Sequence, residues 1–220
     1  MVEPQVQFKD LKMIRFIGDI HGDFESYDKI IKDLEETHPG AKSIQVGDYG
    51  IGFGNNPDIS KVNKNHRFIR GNHDCLDECM LYDNFIVDGH LDRFEGGSMM
   101  FIGGAWSIDR GYRQPYKDWW PDEEVSYEKA VALINGYEYI KPTIMVTHDM
   151  PRSASMNNFR LSEERVGKNM TNQMLDEMFK IHKPKLWIHG HWHIQYKTTF
   201  NDTTFVGLGI NQYGDLDLDI

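Results

Sequence analysis

Five short polar motifs, each directly after an apolar run, constrain the fold of this chain more than any other feature. The runs are short and rich in residues that favour β-strands. In an open α/β sheet, functional side chains gather at the carboxyl ends of strands, so we expect the five motifs to converge on one site. The motifs are Gly18-Asp19-Ile20-His21-Gly22, Gly47-Asp48-Tyr49-Gly50, Gly71-Asn72-His73-Asp74, Val146-Thr147-His148-Asp149 and Gly190-His191-Trp192-His193.

The polar side chains in these motifs are oxygen and nitrogen ligands of metal ions. Carboxylates, amides and imidazoles suit divalent manganese, iron, zinc or nickel, and one carboxylate shared by two ions commonly holds them a few ångströms apart. A single Gly-Asp or Gly-His dipeptide would indicate little, because both are common in turns. As a set, the motifs predict a hydrolase with two metal ions, for which a phosphoester is the natural substrate.

Length and composition favour one domain over residues 1–220. The chain has 220 residues, 40% of them hydrophobic, which is enough for one sizeable core. We find no linker, internal repeat or low-complexity tract. No apolar stretch reaches the length of a bilayer, and residues 1–5 lack the features of a signal peptide. We therefore expect no membrane partner and a cytoplasmic location, whereas no pattern indicates an oligomeric state.

The acidic net charge restricts the class of partner. The formal charge is −10, and binding to a phosphate backbone normally needs a basic face, so we expect no long nucleic acid as partner. The same charge argues against a nuclease. A local basic pocket is still compatible with a small phosphoester as the substrate.

Turn residues and hydrophobic periodicity divide the chain into strands and helices. A strand ending at Asp19, an amphipathic helix over 24–36 and a strand ending at Asp48 form an opening β-α-β unit. Two sheets flanked by helices account for the order of the elements that follow. These are helices over 76–81, 126–135 and 170–182, and strands over 85–87, 90–94, 98–103, 194–200 and 204–208.

The order of the five motifs resembles the calcineurin-like metallophosphoesterase superfamily. The series Gly-Asp-x-His-Gly, Gly-Asp-x-x-Gly, Gly-Asn-His-Asp, a single strand-end histidine and Gly-His-x-His covers residues 13–211, nearly the whole chain. The resemblance implies an α/β fold, a four-layer α-β-β-α sandwich in which two mixed β-sheets are flanked by helices. It also implies a site with two metal ions at the edges of the sheets.

The resemblance assigns a role to each residue of the motifs. It implies that the first ion is bound by Asp19, His21 and His193, and the second ion by Asn72, His148 and His191. Asp48 is the implied bridge, which binds both ions. It implies two divalent cations as cofactors, with manganese favoured and iron, zinc and nickel as alternatives. His189, which directly precedes the Gly-His-x-His motif, is left out of the set.

His73 is the implied catalytic acid, with Asp74 beside it. In the mechanism that we predict, a hydroxide bridging the two metal ions attacks phosphorus in line with the leaving oxygen. His73 then protonates that oxygen, a role worth roughly 10²–10⁴-fold in rate. Asp74 would keep the imidazole charged and oriented. Asn72 is a neutral ligand, so the site retains net positive charge that attracts phosphate.

Two variable segments are expected to set specificity. Residues 103–121 are rich in aromatic side chains and resemble small phage and bacterial members of the superfamily; Trp119 and Trp120 either cap the core or stack on a base or sugar. Residues 151–167 follow the fourth motif. The planar fork of arginine matches phosphate, so four arginines are candidates for binding substrate. They are Arg110, Arg113, Arg152 and Arg160.

The second motif separates the possible activities. Eukaryotic-type Ser/Thr phosphatases continue this motif with Asp-Arg-Gly, whereas here Asp48 is followed by Tyr49-Gly50-Ile51, which lacks the phosphate-binding arginine. The favoured function is therefore hydrolysis of a phosphodiester or phosphomonoester of a small molecule, such as a nucleotide or cyclic nucleotide. A phosphoprotein phosphatase is the alternative, because an arginine from a variable segment could replace the missing one. A non-catalytic binding module is disfavoured by the complete ligand set.

Overall fold

A computed structural model describes residues 13–54, 56–58 and 63–217 of the chain. In this part of the chain, strands and helices alternate over most of the length. The strands are β1 (Met13–Ile17), β2 (Lys42–Gln45), β3 (His66–Phe68), β4 (Leu91–Phe94), β5 (Gly97–Ile102), β6 (Ile144–Thr147), β7 (Leu186–His189), β8 (Tyr196–Phe200), β9 (Thr203–Gly207) and β10 (Tyr213–Asp217). The helices are α1 (Phe24–Thr37), α2 (Leu76–Cys79), α3 (Tyr127–Ile140), α4 (Arg152–Phe159), α5 (Glu163–Val166) and α6 (Met170–Ile181).

The strands form two mixed sheets. The first sheet has the order β10-β1-β2-β3, in which β1, β2 and β3 are parallel and β10 is antiparallel. The second has the order β4-β5-β6-β7-β9-β8, with a parallel centre and antiparallel strands at both edges. All strands that precede the five motifs are therefore parallel members of a sheet, and their carboxyl ends lie at the same edges.

The core consists of three layers of apolar side chains, as expected for four layers of backbone. Successive side chains of a strand point to opposite faces, so each central strand contributes to two layers. In β6, Ile144 and Val146 belong to the cluster between the sheets, whereas Met145 belongs to the cluster that β7 and helices α3, α4 and α6 share. A third cluster lies between the first sheet and α1. The predicted fold, two mixed sheets flanked by helices, is confirmed.

Helix α1 illustrates how the sequence specifies a local element. Asp23 caps its first turn by accepting a hydrogen bond from the N–H of Ser26 at 3.1 Å. Tyr27, Ile30 and Leu34 follow at helical spacing and are buried against the first sheet. The helix ends just before Pro39-Gly40, where the predicted boundary lies.

The structure differs from the predicted elements in the more polar segments. Strand β10 was not predicted, since its sequence Tyr-Gly-Asp-Leu-Asp carries charge and its residues alternate between exposed and half-buried. The segment 151–167 contains helices α4 and α5, of which α4 has a sequence with little apolar periodicity. The predicted strand 85–87 is only a single bridge between Phe68 and Phe85. Among the described residues, no helix is long and apolar enough to cross a bilayer.

Candidate metal centre and active site

The loops that follow β1, β2, β3, β6 and β7 meet at one end of the two sheets, and all but the loop after β6 line an open cavity of about 480 Å³. The loop after β5 forms the remaining wall through Ser107, Ile108, Asp109 and Arg113. The seven ligand candidates from the five motifs lie in or directly beneath this cavity, so residues up to 174 positions apart in sequence become neighbours. They divide into two groups around Asp48.

The first ligand group consists of Asp19, His21 and His193. The Nε2 atom of His193 lies 3.0 Å from Nε2 of His21 and 3.1 Å from Oδ2 of Asp19. With Asp48 included, one donor atom from each of the four residues lies within 4.8 Å of every other. The hydrogen bond to Asp19 raises the pKa of His193, although burial opposes this shift. Four donors of this kind could hold one divalent cation.

The second ligand group consists of Asn72, His148 and His191. The amide oxygen Oδ1 of Asn72 lies 3.0 Å from Nε2 of His148 and 3.0 Å from Nδ1 of His191. The Nδ1 atom of His148 lies 2.9 Å from the carbonyl oxygen of Val46, which accepts its proton and leaves Nε2 directed at the site. Asn72 and His148 are buried, whereas His191 is partly exposed and lines the cavity together with Asn72.

Asp48 lies between the two groups. Its Oδ1 atom is 3.3 Å from Nε2 of His148, and its Oδ2 atom is 3.8 Å from Nε2 of His21. Burial would raise the pKa of Asp48, but the charges of His148, His73 and His21 lower it below its usual range. Burial would likewise lower the pKa of His148, but the Asp48 carboxylate raises it to about 10. The buried Asp48 carboxylate is therefore stabilised by positive charge placed next to it.

The donor atoms fit divalent cations in both type and spacing. Ligand atoms about 2.1 Å from one cation and at right angles to each other lie about 3 Å apart. The distances between His21 and His193, between Asn72 and His148 and between Asn72 and His191 are all 3.0 Å. A cation near Asp48 would also supply the positive charge that its burial demands. The residues present therefore fit one ion at each group, with Asp48 available to both.

Turn geometry, rather than strand alternation, directs the ligand pairs. Asp19 and His21 are two residues apart, as are His191 and His193, a spacing that on a strand would direct both side chains to one face. Instead β1 ends at Ile17 and β7 at His189, and the ligands lie in the loops beyond. His21, Asp48, His191 and His193 have φ angles of 49°, 55°, 65° and 55°, in the left-handed region that residues other than glycine rarely adopt.

At two motif positions glycine is required because another side chain lies too close for a Cβ atom, and not because the backbone turns there. A Cβ atom on Gly71 would lie 2.0 Å from Oδ1 of Asp48, and one on Gly190 would lie 2.2 Å from Oδ1 of Asp19. Neither position has a positive φ angle. Each glycine leaves space for a ligand carboxylate that belongs to another loop.

His73 lies against the guanidinium group of Arg113. The Nη1 atom of Arg113 is 2.5 Å from Nδ1 of His73, and Nη2 also binds Oδ2 of Asp109 at 2.7 Å. Nη2 also lies 3.3 Å from Nε2 of the same ring, so the guanidinium group contacts both ring nitrogens. Arginine has only donors, and its shorter contact makes Nδ1 the acceptor, with the proton of the neutral ring on Nε2. Burial lowers the pKa of His73 to about 4, the charge of Arg113 acts in the same direction, and Asp48 opposes it. Trp120 donates to the His73 carbonyl oxygen at 3.3 Å and is buried, so it caps the core.

Asp74 does not hold the His73 ring as predicted. Its carboxylate accepts hydrogen bonds from the backbone N–H groups of Tyr49, Gly50, Ile51 and Gly71, at 2.7–3.1 Å. Burial and the neighbouring Asp48 raise the pKa of Asp74, whereas these hydrogen bonds lower it. The side chain therefore joins the second and third motif loops to each other. Its turn toward the backbone is not visible in the sequence.

Of the four candidate arginines, only Arg113 lines the cavity. Arg110 lies over the Trp106 ring at 5.1 Å and its guanidinium is half-exposed. Arg152 donates from Nε to the carbonyl oxygen of Gly167 at 2.8 Å and pairs with Glu163. Arg160 ends α4 in a left-handed conformation and is exposed. Of the four arginines, Arg113 is therefore the one that remains a candidate for contact with a substrate in the cavity.

Sequence reasoning missed several polar residues that surround the ligands. The amide nitrogen of Asn72 donates to Oγ of Ser107 at 2.8 Å, and Ser107 in turn binds buried Glu123. The indole nitrogen of Trp192 donates to Asp149 at 2.9 Å. Nothing in the sequence around Ser107 or Glu123 marks them as partners of a motif residue. His189, which we left out of the ligand set, is buried with Nε2 2.7 Å from the hydroxyl of Tyr196.

Comparisons with solved structures give the same fold. Phosphopantetheinyl hydrolase from Mycobacterium tuberculosis has a TM-score of 0.57 at 14% identity, with 90% of this chain and 90% of that chain covered. For GAP50, the anchor in the inner membrane complex of Plasmodium, the TM-score is 0.55 at 12% identity, with 91% and 72% covered. At these identities the likeness is evidence of the fold alone.

A protein from Staphylococcus aureus assigned as a 5′-nucleotidase has a TM-score of 0.53 at 12% identity, with 92% of this chain covered but only 50% of that chain. This chain therefore spans about half the length of that protein. A comparison with curated proteins gave no match. The calcineurin-like phosphoesterase family, in contrast, matches residues 13–195. Since this match includes all five motifs, the chain belongs to the calcineurin-like phosphoesterase family and is a metal-dependent phosphoric ester hydrolase.

Proposed function

We propose that this chain hydrolyses a phosphodiester or phosphomonoester of a small molecule, such as a nucleotide, with two divalent metal ions. The observation that carries the proposal is the position of Asp48, whose two carboxylate oxygens face the two ligand groups separately. A carboxylate placed in this way is the usual bridge between two catalytic ions. Asp19, His21 and His193 would hold one ion, and Asn72, His148 and His191 the other.

Two bound cations would neutralise charge on the phosphoryl oxygens and lower the pKa of a water molecule that can attack phosphorus. Manganese is the ion that we favour, since the ligands combine imidazole nitrogens with carboxylate and amide oxygens. The chain's own side chains do the rest of the chemistry. They orient the phosphoester, exclude part of the solvent and move a proton to the leaving oxygen.

His73 is placed for the proton transfer. Its ring lies beside the cavity, 5.1 Å from the His21 ring, with Nε2 3.9 Å from Oδ2 of Asp48. Nε2 is the ring nitrogen that lies near Asp48 and would give its proton to a leaving oxygen, and Nη2 of Arg113 lies 3.3 Å from it. The ring can donate a proton only as the imidazolium, which has protons on both nitrogens, so it must give up its contacts with Arg113 before it acts. The negative charge of a phosphoester in the cavity would favour this protonated form.

Arg113 is the arginine that would contact the phosphate. It lines the cavity, and its pairing with Asp109 holds the guanidinium in place without removing all of its donors. Phe53 and Ile108 are exposed apolar side chains in the same cavity wall and would contact the group attached to the phosphate. This combination supports a small ester with an apolar or aromatic portion.

A phosphoprotein phosphatase is the second candidate, and the same arginine favours it. The arginine missing from the second motif would be replaced by Arg113 from the first variable segment, as the alternative requires. The cavity is also open, so a peptide side chain could reach it. The two candidates therefore differ in the substrate that Arg113 receives, and they share the metal centre.

The test is a substrate panel in Mn²⁺ that compares bis(p-nitrophenyl) phosphate, p-nitrophenyl phosphate, nucleotides, cyclic nucleotides and a phosphopeptide. We expect turnover of the small esters that is lost in Asp48→Asn and kept in Asp83→Asn, whose carboxylate is exposed and paired with Lys64. A preference for the phosphopeptide would select the phosphatase. If the metal-loaded chain turns over none of these esters, the proposal is wrong.

A further inference from the structure

The amide of Asn72 must be held in one orientation for the second ligand group to accept a cation. An asparagine amide has an oxygen that can ligate a cation and a nitrogen that cannot, and the two ends have the same shape. A flip of the amide would turn its NH₂ group toward His148 and His191. Asn72 is almost completely buried, so the protein around it must determine the orientation.

We propose that Glu123 and Ser107 are positioning residues for the second metal ion, because they fix the amide orientation of Asn72. The Nδ2 atom of Asn72 donates to Oγ of Ser107 at 2.8 Å, on the side opposite His148 and His191. Ser107 and Glu123 are as deeply buried as Asn72, so the contact is largely shielded, although Asn72 and Ser107 both line the cavity. The inference rests on the proposed function in that it assumes an ion at this group.

The direction of the hydrogen bonds follows from the donors available. The Ser107 hydroxyl donates to Oε2 of Glu123, and the Ser107 backbone N–H donates to Oε1 at 3.1 Å. Both carboxylate oxygens thus accept from Ser107, and its single hydroxyl proton is used. The oxygen of Ser107 can then only accept from Asn72. The chain of bonds ends on a carboxylate, so it requires a donor at the Asn72 end and directs the amide oxygen toward the ligand group.

Arg70 holds the far end of this chain in place. It is buried, and its Nη1 atom donates to the carbonyl oxygens of Asp122 and Glu123, each at 2.9 Å. Arg70 also lies two residues before Asn72 in the sequence, and its Nη2 atom pairs with Asp88 at 3.3 Å. The backbone of the third motif and the backbone that carries Glu123 are therefore fixed to each other. The amide has little freedom to rotate as long as Ser107 is present.

The experiment measures Mn²⁺ binding by titration calorimetry in wild type, Ser107→Ala, Glu123→Gln and Asn72→Ala. Removal of a group that orients a ligand typically weakens metal binding about 10–100-fold. We expect Ser107→Ala to weaken one of the two ions by this factor and to leave the other unchanged. Glu123→Gln keeps an acceptor at this position, so its effect should be smaller and in the same direction. Ser162→Ala and Glu138→Gln, at exposed positions, are the matched controls.

A double-mutant cycle shows whether Ser107 acts through Asn72. In the Asn72→Ala background, Ser107→Ala should cause no further loss of Mn²⁺ affinity. The same loss in both backgrounds, or no loss in either, would overturn the inference. Circular dichroism checks each fold; if Ser107→Ala does not fold, Glu123→Gln carries the test, and unfolding of both would assign the two residues to stability alone.

The outcomes separate this inference from the proposed function. If wild type binds two Mn²⁺ ions and Ser107→Ala binds both with the same affinity, the positioning role is refuted. The proposed dinuclear centre would not be affected by that result. A wild-type protein that binds only one ion would refute both. Neither result depends on a substrate.

Discussion

The two ligand groups on either side of Asp48 differ in their surroundings. In the second group, Asn72 is 2% exposed and the side chain of His148 is 0% exposed, and a hydrogen bond to Val46 or Ser107 orients each. In the first group, the side chains of His21 and His193 are 29% and 43% exposed. The second group is thus the more enclosed of the two, although Asn72 and His191 also line the cavity. In the first group Asp19 is buried, and the two histidines are the ligands most open to approaching substrate.

This difference shows how one centre can bind metal ions tightly and still be accessible to substrate. Fixed ligands lose little conformational entropy when they bind an ion, so the second group should bind its ion more tightly. Exposed ligands exchange more easily with water and substrate. Each of the following experiments changes one side of this comparison or the residue between the two sides.

The largest effect is expected for Asp48→Asn, which removes the charge that both groups share. Metal ions supply several kcal/mol of transition-state stabilisation, so the rate should fall on the order of 10³-fold or more. Steady-state kinetics in Mn²⁺ and the metal content after gel filtration measure this. If the variant loses one ion and keeps the other, the carboxylate belongs to one group and is not a bridge.

The next effect concerns stability and compares His148→Ala with His193→Ala in metal-free buffer. Loss of His148 leaves the buried Asp48 carboxylate without its nearest histidine side chain, and among the described residues only the His73 N–H still donates to Oδ1, at 2.8 Å. We expect a cost of about 3 kcal/mol in the free energy of unfolding. His193 is partly exposed, and its loss should cost less than about 1 kcal/mol. Urea unfolding measures both. Equal losses would contradict the contrast between an enclosed and an accessible group.

His73→Ala should separate chemistry from metal binding. We expect kcat to fall about 10²-fold for esters with a poor leaving group, and less for p-nitrophenyl esters, which depart without a proton. Mn²⁺ binding should remain as in wild type, because His73 belongs to neither ligand group. An equal loss for good and poor leaving groups would show that His73 is not the acid.

The smallest effect is expected for Arg113→Lys on the accessible side. Lysine keeps the charge but loses the planar fork, so KM should rise about tenfold with kcat nearly unchanged. Arg93→Lys is the matched control, because Arg93 is exposed on the edge strand β4 and does not line the cavity. A fall in kcat alone would indicate that Arg113 acts on His73 and not on the phosphate.

The sequence predicted the fold and the convergence of the motifs because both depend on local patterns. Apolar runs such as Ile14–Ile17 and Ile144–Val146 specify strands, and strands in parallel order bring their carboxyl ends together. Strand β10 was missed, because it gains its place by pairing with β1 at an edge and not from its own polar sequence.

The residues that the sequence could not assign depend on side-chain contacts between distant segments. Arg113 and Arg152 look equivalent in the sequence, yet the fold of the loop after β5 brings only Arg113 to His73. Ser107 reaches Asn72 across 35 residues, and no spacing rule predicts this. Asp74 is adjacent to His73, but its carboxylate accepts hydrogen bonds from several backbone N–H groups, which stabilise it more than one bond to the His73 ring would.

Four ligands have a left-handed backbone conformation, which causes a trade-off between stability and activity. They are His21, Asp48, His191 and His193. Each such residue costs of order 1–3 kcal/mol, which surrounding contacts must offset. Glycine adopts these angles without strain, so a substitution there can stabilise the chain while it removes a ligand. Selection for stability alone would therefore tend to erase the centre, and variants recovered from such a screen with changes at these positions should be inactive.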